Sequence, residues 1–313
     1  MNYAYGKPSE KQQRNCPTCG FIFTNNGSFC PECGAKRVCS DEQAPIKKDK
    51  YKSKNRKTTL IIGLCIVLCI ISYFIFQTII KPAVTYNNAM SLIEDQQYKA
   101  AIDQLNELGD YKDSEEKQAK YQLLLINQAS VGDVVTFGSY NQDKIKYNLN
   151  ELIEWRVVTK EGDKVLLLSN SSLDRQPYNN TSSDTTWETC SLRLWLNDIF
   201  LNSAFSTEQQ SLIAMSNLTN ANNPKYATNG GNNTQDKVFV LSVVEVEKYS
   251  LYTKDWTPSS GSNGWRLRTP GKYGSYAATV YNYDEYIDYF EYSSTTEPYP
   301  IRPAIWVYMN ANV

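Results

Sequence analysis

LIIGLCIVLCIISYFIFQTII, residues 60–80, decides how the rest of the chain must be read. It holds no charge, and only Ser72, Gln77 and Thr78 are clearly polar. At about 1.5 Å per residue a helix of this length reaches roughly 30 Å, the thickness of a bilayer's hydrocarbon core. The competing reading is a buried helix of a soluble protein. A signal peptide has a shorter apolar region, a small-residue cleavage site and an N-terminal place. This segment follows a module with its own motif, so residues 59–80 are read as an uncleaved transmembrane helix.

The flanks predict its orientation. KKDKYKSKNRK, residues 47–57, holds seven basic residues, whereas the other side offers only Lys81 nearby. The positive-inside bias places residues 1–58 in the cytoplasm and residues 82–313 outside, in a single-pass protein of the cell membrane. Residues 1–58 carry twelve Lys/Arg against five Asp/Glu, while residues 131–313 carry fifteen against twenty. Such a split suits two surroundings, with the basic linker, residues 39–58, lying against the lipid bilayer; nucleic acid is not an expected partner. Cys65 and Cys69 fall within the span as apolar filler.

On the cytoplasmic side, residues 16–34 read CPTCGFIFTNNGSFCPECG, within a module spanning 14–38. Each C-x2-C turn aims two thiolates at one point, and the intervening hairpin brings the pairs together into a tetrahedron. Apart from Phe21, Ile22, Phe23 and Phe29 the module has little core, so metal binding must supply most of its folding free energy. Two disulfides would need an oxidising compartment, which this topology denies. The expected cofactor is structural zinc on Cys16, Cys19, Cys30 and Cys33, with no position left open for catalysis. The segment resembles the zinc-ribbon heads at the N-termini of many bacterial membrane proteins, which implies an unidentified cytoplasmic protein partner.

The chain contains no histidine. His-based acid/base catalysis, His-activated nucleophiles and His-ligated metals are therefore excluded. Residues 82–129 form the next segment, where Ala89, Leu92, Tyr98, Ala101 and Leu105 recur at helical spacings. Small residues let two antiparallel helices approach, a pattern that resembles one tetratricopeptide repeat. A single repeat and a half builds a spacer or docking platform, not a peptide-binding groove.

From Val131 the period changes. VGDVVTFGSY, ELIEWRVVTKEGDKVLLLS and KVFVLS are rich in β-branched and aromatic residues, and Glu161-Gly162-Asp163 signals a hairpin turn. A helix near TWETCSLRLWLNDIFLNSAF shows Leu192, Trp195, Leu196 and Ile199 as an apolar stripe. Ser206-x-x-Gln209 and Ser242-x-x-Glu245 are capping boxes that open two further helices. Between them NANNPKYATNGGNNTQD reads as a loop of turn formers with little to bury. The fold class is thus multi-domain. A zinc ribbon, one transmembrane helix and a helical stalk precede an α+β domain, residues 131–313, with a mostly antiparallel sheet.

The blocks VGDVVTFGSY, EWRVV, WETCSLRLWLN, QDKVFVLSVVEVEKY, WRLRTPG and IRPAIWV occur in an order similar to that of a bacterial family, domain of unknown function six-two-seven-three. The resemblance covers residues 131–313 and implies the same accompanying zinc head, span and stalk. The family is in turn remotely similar to the C-type-lectin or sulfatase-modifying-factor fold. The chain departs from the pattern in having Gly264-Trp265 where relatives often have two aromatics. It also lacks a cysteine in the loop before that point, so Cys190 has no disulfide partner within the domain. Glu297-Pro298-Tyr299 is similar to the Glu-Pro-Asn motif of C-type lectins. With asparagine replaced and the companion Trp-Asn-Asp missing, calcium-dependent lectin activity is not expected.

No catalytic residue is assigned. Cys190, with no histidine or evident base, reads as a buried thiol. Arg266, Arg268 and Arg302 read as structural ion pairs, with Glu188 or Glu245 as partners, or as a fork for an anion. YNYDEYIDYFEY, residues 281–292, supplies the candidate ligand surface. A turn at Asp284-Glu285 would join strands 277–283 and 286–292. Ala278, Val280, Ile287 and Tyr289 would then share one face, with Tyr281, Tyr283, Tyr286, Asp288, Phe290 and Tyr292 on the other. The expected function is a membrane protein whose outer domain binds an extracytoplasmic glycan or protein. The alternatives are an envelope enzyme acting on glycans through carboxylates, and a structural docking protein of a membrane complex.

Overall fold

The computed structural model describes residues 15–22, 27–36, 56–142, 151–256, 264–281, 286–288 and 295–310. Most of the basic run at 47–57 and Cys39 lie outside the described residues. The chain divides into two units, Met1–Ser72 and Tyr73–Val313.

Helix α1, Arg56–Ile75, is apolar on every side; Leu60, Ile61, Leu64, Val67 and Leu68 are all exposed. A helix without a preferred face has no soluble core to turn toward. Leu60–Glu94 is long and apolar enough to cross a membrane, and none of its apolar window is buried. A π-turn over Phe76–Ile80 precedes α2, Lys81–Glu94. It sits just before Pro82, whose nitrogen has no hydrogen to give the Thr78 carbonyl, a common setting for such local widening.

In the second unit, α2 is followed by α3, Tyr98–Leu108, and α4, Ser114–Gln128. Ala89 and Ala101 are wholly buried, small enough to let α2 and α3 close together. Tyr98 stacks on Tyr121 with ring centroids 5.1 Å apart, and Tyr86 donates to Asp113 Oδ1 at 2.6 Å. Helix α4 also faces the sheet, because its Ala119, Leu123 and Ile126 belong to the main core. Its Gln122 Oε1 accepts from Gln209 at 2.8 Å, and Asn127 donates to the Met309 carbonyl at 2.8 Å. The change of periodicity near residue 130 therefore marks a change of secondary structure inside one continuous core.

Strands β1 (Val134–Tyr140), β2 (Glu151–Glu161) and β3 (Lys164–Ser169) form an antiparallel meander. Glu161 faces Lys164 across Gly162-Asp163, the two-residue turn that the sequence signalled. After the short β4 (Asp174–Gln176) come β5 (Ser216–Leu218), paired with β6 (Thr234–Asp236), and then β7 (Val238–Phe239). Strands β8 (Gly264–Pro270), β9 (Ala277–Tyr281) and β10 (Tyr286–Asp288) make a second sheet. Strand β11 (Tyr299–Ile301) pairs with β4. The final strand, β12 (Ala304–Tyr308), inserts between β3 and β7, giving the order β1-β2-β3-β12-β7. Every ladder among the described residues is antiparallel.

Trp155, Trp187 and Trp265 are fully buried, and each of the first two finds an acceptor for its indole N–H. Trp155 donates to the Phe137 carbonyl at 2.7 Å, and Trp187 to Asp236 at 3.0 Å. Asp236 also accepts from Arg193 at 2.7 Å and Thr234 at 2.8 Å, so this buried carboxylate is paired and hydrogen-bonded.

Helix α5 (Ser191–Trp195) runs through a π-turn, Leu196–Phe200, into α6 (Leu201–Ala204). The expected stripe is corrected here. Leu192 and Leu196 are buried, but Ile199 is 60% exposed and Phe200 takes the inward place. The wider turn carries an extra residue, which rotates the following side chains relative to an α-helix. Both capping boxes form in full, opening α7 (Thr207–Leu212) and α8 (Val243–Lys248).

The loop read as having little to bury is also corrected. Asn220 and Asn223 are buried, and their amides replace the backbone ladder that the loop lacks. Asn223 donates to the Pro270 carbonyl at 2.7 Å, while Asn220 donates to the Asn232 carbonyl at 2.7 Å and accepts from Arg268 at 3.2 Å.

Candidate functional site

The two cysteine knuckles are built alike. Cys16 N–H donates to the Phe21 carbonyl at 2.8 Å and Gly20 N–H to the Cys16 carbonyl at 2.9 Å; Cys30, Ala35 and Gly34 repeat the pattern at 2.8 and 2.9 Å. Gly20 and Gly34 have φ of 78° and 71°, the left-handed conformation that glycine adopts without steric cost. Nothing lies within 4 Å of a Cβ added to either, so backbone conformation, not space, selects glycine there.

These turns aim four sulfurs at one point, all within 4.8 Å of one another. Cys16 and Cys33 Sγ are 3.6 Å apart, as are Cys19 and Cys30 Sγ. A metal–thiolate bond of about 2.3 Å places tetrahedral sulfurs roughly 3.8 Å apart, so the set fits a single four-coordinate ion. Backbone N–H groups of Cys19 and Thr18 draw the Cys16 thiol down to about 6. Cys19 is pulled down by the Phe21 amide, yet the neighbouring thiols, Cys33 foremost, carry it up to about 12. One thiolate thus discourages the next, a repulsion that a bound cation removes.

The three arginines singled out from sequence reach different ends. Arg268 is engaged throughout: it forms a two-pronged pair with Glu245, whose Oε1 accepts from Nη2 at 2.9 Å. It also donates to the Val240 carbonyl at 3.1 Å and the Thr219 carbonyl at 3.3 Å. Arg266 is buried, donates to the Ala277 carbonyl at 3.1 Å and lies 4.6 Å from the Tyr299 ring centroid. Arg302 is buried with its guanidinium 5.2 Å from the Trp265 ring, and donates to the Ser169 and Trp256 carbonyls, both at 2.8 Å. Glu188 instead accepts from Asn232 at 3.1 Å.

In the tyrosine-rich hairpin, Tyr281 pairs with Tyr286, Val280 with Ile287 and Thr279 with Asp288. The register therefore differs by two from the expected one, and residues 282–285, with the expected turn at Asp284-Glu285, lie outside the described residues. Because strand side chains alternate with period two, this even shift keeps Val280 with Ile287 on one face and Tyr281 with Tyr286 on the other. Tyr281 is half-buried, and its hydroxyl accepts from Tyr299 at 3.0 Å; Asp288 is half-buried. Tyr283, Phe290 and Tyr292 lie outside the described residues.

Cys190 is buried, donates to the Trp187 carbonyl at 3.5 Å, and is raised by burial to about 12, the state of an unreactive thiol. A cleft of about 620 Å³ between α3, α4 and the β1–β2 edge gathers Asp103, Asp133 and Glu154 beside Lys99. Sequence reasoning passed over Arg156 and Trp256, which neighbour Arg302. Arg156 donates to the Asp255 carbonyl, and its guanidinium lies 5.5 Å from the Trp256 ring centroid. No spacing announces that group, since its members come from three distant parts of the chain.

A family described as Domain of unknown function (DUF6273) matches residues 162–309, the part of the chain that carries β3 through β12. No curated protein and no solved structure matches the chain, so the likenesses to a tetratricopeptide repeat and to the C-type-lectin fold gain no support.

Proposed function

We propose that the chain is a single-pass membrane protein whose C-terminal domain binds an extracytoplasmic ligand, a glycan or a protein. Its cysteine head would be a structural zinc ribbon that engages a cytoplasmic protein. The observation that carries this reading is the helix Leu60–Glu94, which is long and apolar enough to cross a membrane and has none of its apolar window buried. The four-sulfur set supports zinc, because soft thiolates in tetrahedral array suit it and four ligands leave no open position. Cys16, Cys19, Cys30 and Cys33 would hold the ion, which would fix the two knuckles to each other. The basic run at 47–57 supports a cytoplasmic head.

Topology can be tested with a membrane-impermeant thiol reagent on intact cells. A cysteine introduced at exposed Ser211 should be labelled and Cys39 should be spared. Cys190 gives little background because it is buried and its thiol is raised to about 12. Labelling of Cys39 alone would reverse the orientation.

A further inference from the structure

Buried cations in this domain are matched by carboxylates in one place and not in another. Arg268 has Glu245, and Arg193 has Asp236. Arg302 is fully buried, yet forms no ion pair among the described residues, and its Nη2 is a buried nitrogen without an acceptor. Arg156, half-buried beside it, likewise has no ion pair there, and its Nε is buried without an acceptor. Two acids close to the site in sequence make their contacts elsewhere or through the backbone. Glu154, two residues along the same strand, takes its hydrogen bond from Asn170 at 3.0 Å, and Asp255 offers Arg156 its backbone carbonyl. The connection 257–263, TPSSGSN, contains no acid.

Two guanidinium groups in one partly dry place repel each other. Burial first, and then the charge of Arg156, draw Arg302 down to about 9. Guanidinium does not give up its proton in a protein, so this shift stands for a standing cost of holding the cation there. An anion received between the two would remove it.

From this geometry we infer that Arg156 and Arg302 form a binding site for a carboxylate, flanked by the rings of Trp256 and Trp265. Each guanidinium has a buried nitrogen without an acceptor, Nε of Arg156 and Nη2 of Arg302, and two such donors suit the two oxygens of a carboxylate. The other polar groups at the site, the carbonyls of Ser169, Trp256 and Asp255, are acceptors that would repel the surplus oxygens of a phosphate. The site names the chemistry of the ligand proposed above for this domain, and rests on that reading.

The test uses the full-length chain in detergent micelles. Tryptophan emission is titrated with sodium acetate, with inorganic phosphate and with sodium chloride at matched ionic strength. Acetate should give a saturable change that chloride does not, because two tryptophans border the site. Arg156→Gln should weaken it about tenfold or more, the loss of one charge-assisted hydrogen bond. If that variant loses the wild-type cooperative melt, Arg156→Lys takes its place, keeping charge and stem but not Nε. No acetate response in the wild type, the same response in the Arg156 variant, or saturation by phosphate alone would each overturn the assignment. If an envelope glycan or protein still binds the chain that ignores acetate, this site falls and the ligand-binding reading stands.

Discussion

The cysteine head and the C-terminal domain reach order by opposite means. In the head the buried apolar cluster is Cys16 and Cys30, with Phe21 and Ala35 packed on it, while Ile22 and Phe29 remain about 60% exposed. In the domain one cluster runs from Ala119 on α4 through both tryptophan-bearing sheets to Val307. Among its described residues the first has little apolar area to remove from water, so ligation of a metal by its cysteines would be what orders it; the second is held by burial, at roughly 25 cal/mol for each Å². If the four cysteines hold a metal as proposed, one chain contains a part that should fail without it and a part that should ignore its loss.

The sharpest way to break that comparison is to remove the metal. Chelation, or Cys16→Ser, should abolish amide-exchange protection throughout residues 15–36 and leave the domain's melting transition unmoved. A coupled loss in both would show that the two do not fold independently. Within the domain the largest expected effect comes from its core. Trp155→Ala removes a fully buried indole and its hydrogen bond to Phe137, and should cost about 3–5 kcal/mol in a denaturant melt. A change near zero would mean that burial does not hold this sheet.

Glu245→Gln comes next, since it leaves Arg268 buried without its counter-charge, a loss of about 3 kcal/mol. Burial works to raise the Glu245 carboxyl, but the Arg268 charge and the Ser242 hydrogen bonds outweigh it and hold the group below its ordinary 4.5. A depressed folded-state pKa contributes stability above the unfolded value that is lost as pH falls below about 4.5. Wild-type stability should therefore drop on acidification through that range, and Glu245→Gln should drop less steeply. Equal slopes would remove this pair from the account of acid sensitivity. The smallest effect is expected from Ser206→Ala, which deletes one arm of a capping box and should cost about 1 kcal/mol, read as a small shift in melting midpoint.

Much of this was legible in the sequence where the signal is local. The C-x2-C pairs with their glycines, the apolar stretch 60–80, the Glu161-Gly162-Asp163 turn and both capping boxes each depend on residues within a few positions. Ile199 misled because the helix widens into a π-turn that composition does not mark. The hairpin register differed by two from expectation because neither Asp284 nor Glu285 is a residue that fixes a turn type. The asparagine loop looked empty because turn formers usually serve the surface; here Asn220 accepts from buried Arg268 and Asn223 donates to the Pro270 carbonyl. The Arg156–Arg302 group was invisible for a further reason. That neither guanidinium has an ion pair among the described residues is a property of the folded neighbourhood, which no string of letters states.

The position of β12 bears on the order of synthesis. This strand follows every other strand in sequence, yet lies between β3 and β7 at the interior of the main sheet. Until residues 304–308 have been made, β3 has an open edge and Leu166, Leu167 and Leu168 lack their cross-strand partners Trp306, Ile305 and Ala304. Until then the nascent domain is left with an apolar edge on β3, short of the interior strand that joins it to β7. The β1-β2-β3 meander can pair as it is made, but the joining of β7 to it is a late event that needs the last strand.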